Sequence, residues 1–205
     1  MAPNWIAIFF VFTGFISGSV MYALLLSKVF LKKDARDFGD GNPGTVNAFK
    51  AGGFWSGLLT LVLDFSKGFL PTLFAVYFFN VSDYWLIPVG LAPILGHAFS
   101  PFLRFNGGKA VAVTYGCWAG LTLGEGALAL GIMMAIIFLL TGSDVWPVII
   151  GISGLIIYLF FRGFSMLIIL TALGNLGVLM IKYRHELKQP FRLKAIITRF
   201  LRLAK

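Results

Sequence analysis

The stretch IAIFFVFTGFISGSVMYALLLSKVFLKK, residues 6–33, decides the fold class. From Ile6 to Phe30 it carries a single charge, Lys28, and is long enough to cross a lipid bilayer, which takes about 20 residues of helix. It exceeds a signal-peptide core and no basic residue precedes it, so it is expected to be retained as a first span. The next residues, FGDGNPGTVNAF (38–49), hold a G-x-G-x-x-G pattern in Gly39, Gly41 and Gly44. A dinucleotide fingerprint needs a strand before it and a βαβ unit around it. Here a membrane helix precedes it, which argues against a nucleotide fold.

Composition extends this reading to the whole chain. Of 205 residues 59% are apolar and 12% charged, with a mean hydropathy of +0.89. Soluble domains carry about a quarter charged residues. The 22 Phe and 24 Gly suit packed membrane helices. The expected class is an all-α polytopic membrane protein, a single domain over 1–205, with spans near 5–30, 54–80, 85–103, 110–124, 126–141, 145–161 and 163–181. The only cysteine, Cys117, excludes an intrachain disulfide.

Lys and Arg distribute unevenly between the two sets of loops. One set holds Lys28, Lys32, Lys33, Arg36, Lys50, Arg104, Lys109 and the eight basic residues from Lys182 onward; the other holds Arg162. Lys67 lies within a span. The positive-inside rule then places the N-terminus outside and the C-terminus in the cytoplasm. The net charge of +9 is thereby directed at lipid head groups and anionic substrates, and nucleic acid is not expected as a partner. In the tail (182–205), Phe191, Ile196, Phe200 and Leu203 oppose Arg192, Lys194, Arg199 and Arg202, the pattern of an amphipathic helix on an anionic surface; a generic basic tail explains much of the same pattern.

Two cytoplasmic glycine loops are candidates for anion binding. In the first, amides of the turn and of a helix starting near Thr45 can cradle phosphate. In the second, GHAFSPFLRFNGGKAVAV (96–113), Gly107 and Gly108 precede Lys109 at a helix start, so free N–H groups are expected beside a cation. His97, Arg184 and His185 lie on the same side. Each has a plainer alternative: Arg104 and Lys109 as snorkelling anchors, His97 as a packed helix histidine, Asp64 and Lys67 as a structural ion pair inside a span. No paired repeat of a transporter is evident.

These motifs carry a resemblance. SGSVMYALLLSK, GDGNPGTVNAFK, DFSKG, GHAFSPFLRFNGGKAVA and YRHELK, in this order and over nearly the whole chain, resemble the bacterial acyl-phosphate:glycerol-3-phosphate acyltransferases of the inner membrane. The resemblance implies transfer of a fatty acyl group from acyl phosphate to the 1-hydroxyl of glycerol 3-phosphate, giving lysophosphatidic acid and phosphate, with no metal or organic cofactor. It assigns Gly41, Asn42, Gly44, Asn47 and Lys50 to the first substrate loop, and His97, Gly107, Gly108 and Lys109 to the second. Ser19 matches a serine of the first span, and Arg184 with His185 a pair closing the last; Lys109, His185 and Ser19 are its candidate catalytic residues. The alternatives are a relative using another acyl donor or acceptor, or a non-catalytic protein that binds lipid or phosphate.

The chain departs from the family pattern at several positions. Asp40 replaces a serine and Val46 a threonine of the first loop; Lys50 stands for arginine, Asn106 for lysine, Ser100 for proline and Lys188 for asparagine. The serine-rich motif before the sixth span is missing, with Ser143 a displaced remnant. A carboxylate at position 40 opposes anion binding unless it is paired, protonated or turned away.

Overall fold

The computed structural model describes residues 3–194. The tail helix expected over the basic segment falls mostly beyond them. Its first four residues, 191–194, are not helical: Phe191 packs edge-on against Trp146 at 5.7 Å, and the Lys194 amide donates to the Leu140 carbonyl at 2.9 Å.

Among the described residues there is no strand. Eight α-helices follow one another: α1 (Asn4–Ser19), α2 (Tyr22–Leu31), α3 (Thr45–Leu73), α4 (Leu86–Ala98), α5 (Val111–Leu121), α6 (Glu125–Thr141), α7 (Trp146–Phe161) and α8 (Met166–Lys182). The segment expected as one first span is broken: α1 and α2 meet at a 42° bend through Val20 and Met21. Packing against α4 fixes this place. Gly18 lies so close to Pro93 that a Cβ would overlap its carbonyl, and Gly96 presses as closely on Phe15. Carbonyls released at the break find donors elsewhere: Ser100 Oγ donates to the Ser19 carbonyl at 2.7 Å and Lys67 Nζ to that of Val20 at 2.6 Å.

The helix of the second expected span, α3, begins at Thr45, nine residues before the expected 54, yet the part beyond its kink starts where the sequence suggested. Gly53, at φ 70° and ψ −164°, kinks it. This region is open almost only to glycine. The Ala51 carbonyl at the kink accepts from Lys33 Nζ at 3.3 Å. Pro71 removes one amide near the other end, and the helix finishes in wider π-type turns over Phe74–Phe78.

The surface is inverted relative to a soluble protein. Trp55 and Phe161 are 77% and 81% exposed, while Asp64, Lys67, His97 and Asn175 are buried. One core forms around Trp118, Leu130, Ile152, Leu155 and Leu159 of α5, α6 and α7. Within it Asn175 accepts from Trp118 Nε1 at 3.0 Å and donates to Thr114 Oγ1 at 3.2 Å, so a polar side chain of α8 is satisfied by α5. Thr45–Phe78 and Asp83–Leu103 are long and apolar enough to cross a bilayer, and α1 with α2 forms a bent third; α5 to α8 have 11 to 17 residues each.

Candidate active site

The site is built where the α2–α3 loop, the α4–α5 loop and the end of α8 meet. After α2, Asp34 turns the chain. It accepts from the Arg36 amide at 2.9 Å and from Nε and Nη2 at 3.0 and 2.7 Å, with Lys28 at 3.2 Å. The Arg36 guanidinium holds its carboxyl far below the usual range, against the smaller effect of burial. Asp40 then lies between Gly39 and Gly41, both left-handed at φ 60° and 73°. Its Oδ1 accepts from the Asn42 amide at 3.2 Å and from Asn47 Nδ2 at 2.9 Å; the same Asn47 nitrogen donates to the Asn42 carbonyl at 2.9 Å. Asn47 therefore reaches back from the first turn of α3 and holds the loop.

In the second loop the chain doubles back after α4 through left-handed Arg104 and Phe105. The Gly107 amide donates to the Ala98 carbonyl at 3.2 Å, and that of Gly108 to His97 at 3.0 Å. This corrects the expectation of free N–H groups: both amides close the end of α4. The glycines are needed because a Cβ on either would overlap His97, its carbonyl at Gly107 and its ring at Gly108. The amides of Gly41, Asn42 and Gly44 are likewise taken, by Phe38, Asp40 and Asn42. The charged groups that line the cavity are therefore side chains, while the first amides of α3, which have no carbonyl one turn back, lie outside its lining.

Lys109 joins the three segments. Its Nζ lies 2.7 Å from Asp40 Oδ2 and 2.7 Å from Glu186 Oε1, and 4.9 Å from the centre of the Tyr183 ring. Asp40 does not stand unpaired beside the cradle. Burial raises its pKa, but Lys109 and the Asn42 amide outweigh that and hold it below the usual carboxylate range; Glu186 behaves alike. For Lys109 burial works downward, and the two carboxylates outweigh it and raise its pKa. Nearby, Lys182 Nζ donates to the Ala98 and Gly107 carbonyls at 3.0 and 2.8 Å.

Around Lys109 opens a cavity of about 580 Å³, lined by Arg36, Asp40, Gly41, Asn42, Arg104, Asn106, Gly107, Lys182 and Glu186 among others. Of the expected residues, Gly41, Asn42, Gly107 and Lys109 line it. Gly44, Asn47 and Gly108 support the walls, and Lys50 is exposed outside them, its Nζ close to Gly39. Ser19 is buried at the α1–α4 crossing, its hydroxyl donating to the Phe15 carbonyl at 2.7 Å; it does not line the cavity. His97 is buried behind Gly108, with Nδ1 unpartnered. Arg184 and His185 are exposed outside the cavity, bonded to each other at 3.1 Å. Their neighbours Lys182 and Glu186 face it instead. Lys182 ends α8 and Glu186 starts a separate 3-10 turn, so no helical spacing in the sequence linked the two. Asp64 and Lys67 form a buried ion pair at 2.8 Å, without hydrogen-bond geometry, at the helix break and away from this cavity. Ser143 lies in the turn before α7 and outside the cavity, its hydroxyl accepting from the Val145 amide at 3.3 Å.

Apolar helices with outward aromatic side chains, and a cavity lined by basic and acidic groups, define an integral membrane protein with a charged cavity. The glycerol-3-phosphate acyltransferase family model matches residues 8–192. Glycerol-3-phosphate acyltransferase 1 of Thermotoga maritima is 39% identical over 196 residues, covering 88% of this chain and 96% of that protein. Glycerol-3-phosphate acyltransferase 2 of Lactobacillus acidophilus is 34% identical over 173 residues, 84% of this chain and 80% of the relative. Two crystal structures of PlsY (YgiH), an integral membrane glycerol 3-phosphate acyltransferase, in its glycerol 3-phosphate and lysophosphatidic acid forms, superpose with TM-scores of 0.81 and 0.80. Their identities are 31% and 30%, and each match covers 89% of this chain and 90% of the other. The chain belongs to the glycerol-3-phosphate acyltransferase family and is an acyltransferase.

Proposed function

We propose that this protein transfers a fatty acyl group from acyl phosphate to the 1-hydroxyl of glycerol 3-phosphate, releasing lysophosphatidic acid and phosphate. The observation that carries the reading is the convergence of Arg36, Arg104, Lys109 and Lys182 on one cavity in a family member. Two anions must be brought together against mutual repulsion, and fixed cations lower that cost. The acceptor oxygen bonds to the acyl carbon, the bond from that carbon to the phosphate oxygen breaks, and the departing phosphate takes up the hydroxyl proton. Since phosphate is already a good leaving group, alignment and charge stabilisation carry much of the barrier.

The whole chain works as one unit in the bacterial inner membrane: seven spans, α1 and α2 together making the first, N-terminus outside and C-terminus in the cytoplasm. The cavity then opens to the cytoplasm, where both substrates are soluble, and the basic tail meets anionic lipid. The four shorter helices fit because loop residues and a thinned bilayer can complete a span. The test is single-protein turnover in lipid: palmitoyl phosphate and labelled glycerol 3-phosphate should give labelled lysophosphatidic acid, and Lys109→Ala should lower its formation by about two orders of magnitude or more. No product from folded wild-type protein overturns this reaction.

A further inference from the structure

Lys109 is already occupied. Two carboxylates hold one ammonium, each at 2.7 Å, so the immediate surroundings of that cation carry a net negative charge. The Lys109 side chain is 19% exposed and that of Asp40 49%, so Asp40 is the more water-accessible partner of the pair. Asp40 is also prepositioned: Asn42 and Asn47 hold its Oδ1 while Oδ2 faces Lys109. The other cations of the cavity differ. Arg36 is bidentate on Asp34, and Lys182 is held by two carbonyls. Arg104 is exposed, and its guanidinium makes no hydrogen bond or ion pair among the described residues, while its amide donates to the Pro101 carbonyl at 3.3 Å.

We propose that Asp40 is a built-in competitor for Lys109: its carboxylate takes the position beside that lysine which a ligand phosphate would need and must swing away before Lys109 can bind one, so Asp40 sets this chain's affinity for its phosphorylated substrate. An entering phosphate meets Arg104 first, because that guanidinium is exposed and uncommitted. It reaches Lys109 only by replacing Asp40, whose own charge repels it. The Asp40 side chain is half exposed to water, so the exchange does not strand a buried charge. Only the identity of the molecule bearing the phosphate rests on the proposed function; the competition itself rests on geometry.

The experiment is calorimetric titration of purified, full-length protein in detergent with inorganic phosphate, at pH 7 and constant ionic strength. Asp40→Asn keeps an Oδ1 acceptor for Asn42 and Asn47 and withdraws the charge. It is expected to bind phosphate about fivefold more tightly than wild type, the size of one partly exposed charge pair. In a Lys109→Ala background the same substitution should bring no gain. Equal or weaker binding by a folded Asp40→Asn variant overturns the proposal, as does an equal gain without Lys109, which would mean a general relief of charge. Should that variant not fold, Asp40→Ser, with a hydroxyl acceptor for the loop, replaces it under the same criteria. Turnover of acyl phosphate with glycerol 3-phosphate judges the function separately, since phosphate affinity needs no reaction.

Discussion

At the scale of single residues, Lys109 concentrates the site. It is the cation through which Asp40 of the first loop and Glu186 beyond α8 are joined. Lys109→Ala is therefore expected to lower turnover by about two orders of magnitude or more, as does loss of one fixed donor at a developing charge; lysophosphatidic acid formation by protein of wild-type melting temperature checks this. The pairing also has a pH signature. Asp40 and Glu186 have depressed pKa values, so their contribution to stability is complete above the unfolded value of about 4 and fades as pH falls through the lower folded value. Lys109 has a raised pKa, so its contribution is complete below about 10.4 and fades as pH rises through the folded value. Between about pH 5 and pH 10 wild type should melt above Asp40→Asn, and the gap should close toward pH 3 in thermal scans. Lys109 was legible from its place after two glycines. The pairing of Asp40 was not, because its partner lies 69 residues away.

At the scale of elements, breaks in helices do as much as the helices. The α1–α2 bend turns out backbone carbonyls, and Lys67, held by Asp64, reaches one of them. Removing one member of such a buried pair strands the other charge. Asp64→Asn is thus expected to destabilise by about 3–5 kcal/mol, and the double variant with Lys67→Met by less; unfolding in mixed detergent would compare them. Gly53→Ala places a Cβ in a backbone region open almost only to glycine and should cost about 1–3 kcal/mol, read in the same assay. A hydropathy pattern could locate the apolar segments but not these bends. Gly18 is one glycine among many until Pro93 is found against it.

At the scale of the whole molecule, the distribution of exposed aromatic groups, buried charge and loop cations makes a testable topology. With the N-terminus outside, Ser82→Cys should react with an impermeant maleimide added to intact cells, and Asp144→Cys only after lysis; the reverse pattern would invert the orientation. Both positions are exposed, and native Cys117 is buried, so it should stay silent. The amino-acid sequence by itself determined that this is a helical membrane chain, where its apolar segments lie, and that two glycine loops with Lys109 form its polar end. Hydropathy and loop charge are properties of consecutive residues, so they can be read along the chain. The tertiary structure alone decided that the glycine amides close on their own backbone, that Lys182 and Glu186 rather than Arg184 and His185 face the cavity, and that Asp40 is paired. Those outcomes depend on which side of a turn each side chain leaves and on what is packed opposite, and neither is set until distant segments have met.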